Sequence, residues 1–264
     1  MHARAKTSNV VEYGRILPWL EPEWDDESEL IYYSEFPFLP FRASQPIFRY
    51  MEYWKFKDLV ESGHLHFPRA DQFEIPLEGN LPNSKILGFA EREIAHSMGS
   101  KRYRASHEDA DQQRRKSNAL NFVSCWHMTE DGMARLRDRR AFSPESIFVV
   151  TTAGQLLRSM QAYVIASPVR YGVSKKPQEK FTPLNYFFHN DSGLASEREF
   201  RLVTNPFLLE PFAELRKQGD SSIRLPLDPA DVISEVTLNR DATEDLREKV
   251  EGLMEEYLPG ARLN

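Results

Sequence analysis

The chain has 264 residues, with 34 lysines and arginines against 40 aspartates and glutamates, and a formal net charge of -6 at pH 7. That length can bury a substantial core, and the modest negative charge argues against a protein built mainly to coat nucleic acid or an anionic membrane. The single cysteine, Cys125, excludes an intramolecular disulfide framework and sets a cytoplasmic compartment as the expectation.

Residues 1–45 read as an N-terminal arm. Within it, residues 1–20 look loosely attached and lack the continuous apolar stretch of a signal peptide, while the acidic residues 21–30 read as solvated surface. Pro37, Pro40 and Pro46 mark an extended connection. Residues 46–264 then read as one α+β domain. A strand at 47–50 leads into a helix at 53–62, whose Trp54, Phe56, Leu59 and Val60 fall roughly on one stripe. Gly63 suits a left-handed cap at its end. A strand at 64–67 follows, with Leu65 and Phe67 on one face.

Residues 69–84 read as a loop, 85–118 as mostly helix, and 120–126 as a well-alternating strand. Residues 129–140 read as a short helix or loop. The β-rich run 147–150 precedes a helix near 153–160, with further strands at 162–165 and 168–172. Residues 184–189 and 197–204 are predicted to pair as a hairpin across Asn190, Asp191 and Gly193. Late strands at 223–227 and 232–238 precede a helix at 243–257 that buries Leu246, Val250, Leu253 and Met254. No stretch is long and apolar enough to span a bilayer, so no membrane is expected as a partner. The irregular interleaving predicts an α+β fold, with a mixed, largely antiparallel sheet and flanking helices.

The most informative stretch is SEREFRLV, residues 196–203. Read as a strand, it puts Glu197, Glu199 and Arg201 on one face and Phe200 and Leu202 on the other. Two carboxylates so close resist being ionised together unless a cation or donor sits nearby. A solvated strand face carries the same letters. Arg49, in the first strand, suits a bidentate grip on phosphate or carboxylate, or else lies at a solvated edge. Ser124 and Trp126 share a face with Phe122, where a buried hydroxyl needs a partner. Cys125 points the other way and reads as a small buried residue.

Other candidates are weaker. His64, His66, His127 and His189 lack the spacing of a metal motif, so no metal site is expected. Arg135, Arg137, Arg139 and Arg140 enclose Asp138 and read as a solvated face, although such a cluster can also hold phosphate or nucleic acid. There is no phosphate-binding loop, no GxGxxG and no GxSxG.

Taken in order, several segments resemble an uncharacterised bacterial domain family. The family opens on an Arg-Tyr strand and a short helix, followed by a FxRADxxxDPFEG stretch. The matching text is FRYMEYWKFKDLVESGHLHFPRADQFEIPLEGN, residues 48–80. Its Cys-Trp-His strand matches FVSCWHMTE, residues 122–130, and its ExExR signature matches HNDSGLASEREFR, residues 189–201. Its closing strand and helix match residues 233–246. The family in turn is distantly similar to ADP-ribosyltransferases, which carry a first-strand Arg or His, a middle-strand Ser and a late ExE.

The resemblance implies an ADP-ribosyltransferase-like fold with NAD as substrate. Glu199 and Glu197 would be catalytic, and Arg49, Tyr50, Arg69, Glu78, Ser124, Trp126 and Arg201 would bind NAD. Arg49 would anchor a phosphate or ribose, Ser124 would hold Glu199, Glu199 would stabilise positive charge as nicotinamide leaves, and Glu197 would activate the acceptor. The acceptor would be a nucleic acid or a protein, and the role that of a toxin or defence effector. Three places depart from the family pattern. Ile75 stands for an aspartate, Asn190-Asp191 for a basic pair, and residues 133–137 for a Met-Trp-x-x-Tyr segment. The first two favour an alternative, a non-catalytic module binding a nucleotide, nucleic acid or protein partner on the same scaffold. A further alternative is a Mg²⁺-dependent nuclease using Glu78, Glu197 and Glu199.

Overall fold

A computed structural model describes residues 21–34, 38–73, 119–128, 143–160, 163–172, 187–190, 192–206, 208–209 and 221–264. The expected helix at 85–118, the arginines of 135–140, and Ile75, Glu78 and Asp191 lie outside the described residues.

The chain begins with three short strands, β1 (Glu23–Asp25), β2 (Leu30–Tyr32) and β3 (Phe41–Arg42), which form a small antiparallel sheet. The acidic residues 21–30 hold no buried side chain, as expected of solvated surface, and they form a hairpin whose neighbours Ile31 and Phe41 enter the main core. Next come β4 (Pro46–Glu52), helix α1 (Tyr53–Ser62), β5 (His64–Pro68) and β6 (Phe122–His127). After them lie β7 (Ser146–Thr152), α2 (Ala153–Met160), β8 (Ile165–Pro168), β9 (Arg170–Tyr171) and β10 (His189–Asn190). The chain closes with β11 (Glu199–Thr204), β12 (Ser222–Pro226), α3 (Pro229–Val232), β13 (Glu235–Leu238), α4 (Glu244–Tyr257) and β14 (Arg262–Leu263).

Seven strands form the main sheet in the order β14-β13-β7-β4-β6-β11-β8. Every neighbouring pair in it is antiparallel except β13 with β14. The fold is α+β with a mixed, largely antiparallel sheet. Among the described residues no helix is long and apolar enough to cross a membrane.

Residue chemistry accounts for the local structure. Helix α1 buries Phe56, Leu59 and Val60, one stripe at helical spacing. Trp54 lies about 200° around the helix from Phe56 at 100° per residue, so it leaves that stripe and is 61% exposed. Gly63 ends the helix at φ 63°, ψ 33°, its N–H donating to the Leu59 carbonyl, as the sequence predicts. Helix α4 buries the four expected residues, and the Thr243 hydroxyl caps it by accepting from the Leu246 N–H. The predicted hairpin between 184–189 and 197–204 is not formed. Instead β10 pairs in parallel with β9, and β11 runs between β6 and β8. All of β11 is buried, which a hairpin edge would not allow.

Candidate active site

The seam between β4 and β6 organises the site. β4 pairs with β7 along its whole length, from Pro46 opposite Thr152 to Glu52 opposite Ser146. With β6 it pairs only at Phe48 opposite His127. Beyond that point a side chain makes the link: Arg49 donates from Nη1 to Ser124 Oγ at 2.8 Å. A cleft of about 1020 Å³ lies here, with Arg49, Tyr50, Cys125, His127, Glu197, Glu199 and Arg201 in its walls.

Register assigns the faces. Glu199 lies opposite His127 and Arg201 opposite Cys125, and residues directly opposed across antiparallel strands share a face. These four side chains therefore stand on the cleft side of the sheet. Phe200, Leu202 and Trp126 face the other way, into the main core.

Glu199 and Arg201 form a buried ion pair, with Arg201 Nε 2.6 Å from Glu199 Oε2. Arg201 also donates from Nη1 to the Phe187 carbonyl at 2.9 Å. Burial is the largest single influence on the Glu199 carboxyl and pushes it up, but the charge and hydrogen bond of Arg201 outweigh it, and the carboxyl is held below its ordinary range. Burial likewise works against the charge of Arg201, but its surroundings, including the charge and hydrogen bond of Glu199, outweigh it, so its pKa is raised. Asn190 Nδ2 reaches Glu199 Oε1 at 3.5 Å, and the Glu199 N–H donates to the Tyr171 hydroxyl at 2.8 Å. The Cys125 thiol is pushed up to about 12 by burial, which leaves it un-ionised and a poor nucleophile.

Glu197 does not lie on the strand with Glu199. It ends a 3₁₀ turn, Ser192–Glu197, and Arg198 follows with φ 45°, a left-handed conformation that bends the chain into β11. The bend brings the two carboxyl groups back within hydrogen-bond reach of each other.

Ser124 is fully buried and accepts from both Arg49 Nη1 and Trp126 Nε1, the latter at 3.1 Å. The expected role of holding Glu199 falls instead to Arg201. Arg49 has no carboxylate partner among the described residues, and burial lowers its pKa. Trp126 is a core residue, 2% exposed, and its place is behind Ser124 rather than in the cleft wall. Arg69 pairs with Asp71 at 2.7 Å and stands outside the cleft lining. Tyr50 is half-exposed at the rim. Glu78 lies outside the described residues.

Residues not singled out for the site in the sequence also line this cleft, namely His66, Arg224 and Cys125, together with His127. Burial, followed by the positive charges of Arg49, Arg224 and Lys55, keeps His66 below its ordinary value. Strand parity was the available signal for Cys125 and His127, since Glu199 and its partners had to share one face. Among the described residues no group of three or more His, Cys, Asp or Glu side chains converges as a metal site requires.

No family model matches the chain, and no curated protein does. Among solved structures, the chain is similar to Thermus sp. 2.9 DarT in complex with NAD+, at 9% identity and a TM-score of 0.37 over 85% of this chain and 97% of that one. It is also similar to the same protein in complex with carba-NAD+, at 10% identity and a TM-score of 0.35 over 84% and 96%. A third structure, in complex with ADP-ribosylated ssDNA, matches at 12% identity and a TM-score of 0.37 over 84% and 94%. Likeness at this level carries no inference about chemistry, which has to come from the cleft.

Proposed function

We propose that this chain is an ADP-ribosyltransferase-like enzyme that takes NAD into the β4–β6 cleft and transfers ADP-ribose to a macromolecular acceptor, a nucleic acid or a protein. The observation that carries this reading is the pairing of Arg49 and Glu199 on the walls of one cleft. Arg49 is a guanidinium without a carboxylate partner among the described residues, and Ser124 fixes its direction. Such a group is an anion site, matched to a phosphate of NAD. Glu199 is a carboxylate kept ionised by Arg201 in a largely desolvated place. As the glycosidic bond to nicotinamide breaks, positive charge builds on the ribose, and a fixed anion beside it lowers that barrier. The cleft volume lies just above the ~300–1,000 Å³ range of small-molecule sites. A bacterial, cytoplasmic toxin or defence effector is the biological setting that this reading favours.

The test is nicotinamide release from NAD by the wild type and by Glu199→Gln. The wild type releases nicotinamide, and the variant, still folded, loses at least about a hundredfold in rate, the scale of removing one transition-state stabiliser. A folded wild type that releases none rejects the enzymatic reading. One observation favours a second reading, a non-catalytic binding module. Asn190, where the family pattern has a basic residue, directly contacts Glu199. A rise in melting temperature with NAD but no turnover selects that alternative.

A further inference from the structure

We propose that His127 is the group that takes the proton from the acceptor in this cleft, an inference that rests on the ADP-ribosyl-transfer reading above. His127 lies directly across the strand pair from Glu199, so both side chains leave the sheet on the cleft side. Its ring stacks on Phe48, with centroids 5.3 Å apart and planes 22° apart. Its Nδ1 sits 3.0 Å from the backbone carbonyl of Glu197. A carbonyl only accepts, so Nδ1 carries the proton, and in the neutral ring Nε2 is left as the lone pair. Among the described residues the ring makes no other hydrogen bond. Register, stacking and a tautomer-fixing bond thus hold one basic nitrogen at a cleft wall.

Glu197, the expected base, is engaged differently. Its carboxyl group is turned onto Glu199, within hydrogen-bond reach of it. A base must have a lone pair to offer, and His127 has one where Glu197 is committed.

The step balances without an outside reagent. The acceptor atom gives an electron pair to the anomeric carbon while that carbon's bond to the nicotinamide nitrogen breaks. The pair from the broken bond leaves with nicotinamide. The acceptor's proton passes to His127 Nε2, and the imidazolium so formed faces the negative charge of Glu199 across the strands. Water in place of the acceptor gives free ADP-ribose by the same route.

The experiment uses the full chain, NAD and water as acceptor. Nicotinamide release and the NAD-induced rise in melting temperature are measured for the wild type, His127→Asn and His127→Ala. Asparagine keeps an N–H donor for the Glu197 carbonyl and removes Nε2, so it separates chemistry from support. The expected result is a fall in rate of about 10²–10⁴-fold in both variants, with NAD binding retained in His127→Asn and partial recovery of His127→Ala by added imidazole. A wild-type rate in His127→Asn overturns the proposal, and so does a loss of rate that comes only with loss of NAD binding. A wild type that neither binds NAD nor releases nicotinamide overturns the parent reading and this one together. A wild type that releases it alongside an equally active His127→Asn overturns only the role of His127.

Discussion

Arg201 Nε lies 2.6 Å from Glu199 Oε2, on the same face of β11, and the two side chains are 1% and 8% exposed. A pair so far from water is weakly stabilising as a pair and strongly destabilising when broken. Replacing Arg201 with leucine leaves Glu199 buried without its counter-charge, at an expected cost of about 3–5 kcal/mol. The double variant Glu199→Leu with Arg201→Leu recovers most of that loss. Urea denaturation of the two variants checks both statements. A single variant as stable as the wild type contradicts them.

The same pair sets an acid dependence. The carboxyl of Glu199 is held below its ordinary value of 4.5 in the folded chain. A depressed native value means that the unfolded state binds the proton first as pH falls. The stabilisation is therefore fully present above the ordinary value and drains away below it, through the depressed one. Unfolding midpoints of the wild type and Glu199→Gln are expected to converge as pH falls below the ordinary carboxylate value and through the depressed one. A gap that stays constant over that range contradicts the assignment.

Ser124 serves two donors with one oxygen. Removing it in Ser124→Ala strips the Trp126 indole N–H of its partner in a site where Trp126 is 2% exposed. That cost is about 1–3 kcal/mol. The same change frees the Arg49 guanidinium from its anchor, so the affinity for NAD falls as well. Denaturation followed by tryptophan fluorescence reads the first effect and calorimetric titration the second.

Gly63 stands at φ 63°, where a side chain is strained. A Cβ there would also stand 3.3 Å from the Leu227 carbonyl oxygen. Gly63→Ala is expected to lose about 1–2 kcal/mol, the cost of a left-handed L-residue, with the cleft unaffected. An unchanged melting temperature rules this out.

Local patterns carried much of the fold. Helix α4, the cap at Gly63 and the inward turn of Phe200 and Leu202 follow from periodicity and glycine's tolerance of positive φ. What escaped depended on tertiary context. The order of residues 184–204 suits a hairpin, but burial on both faces of β11 is satisfied only between β6 and β8. The alternation through Glu197 breaks at Arg198, whose left-handed backbone has no signature in an arginine. The partner of Ser124 is equally hidden, because two strands that meet at one register pair leave a gap that the long Arg49 side chain spans. The sequence marks His127 only as a weak metal candidate. Its position opposite Glu199 is a matter of register, and register is set by the whole sheet.

Calorimetric titration of NAD into the wild type and Arg49→Met measures the proposed grip of Arg49 on NAD in the cleft. Saturable binding is expected for the wild type, with a loss in affinity of about 10–150-fold in the variant, the equivalent of about 1.5–3 kcal/mol for hydrogen bonds to a charged group. No heat of binding in the folded wild type, or equal affinity in Arg49→Met, would contradict it.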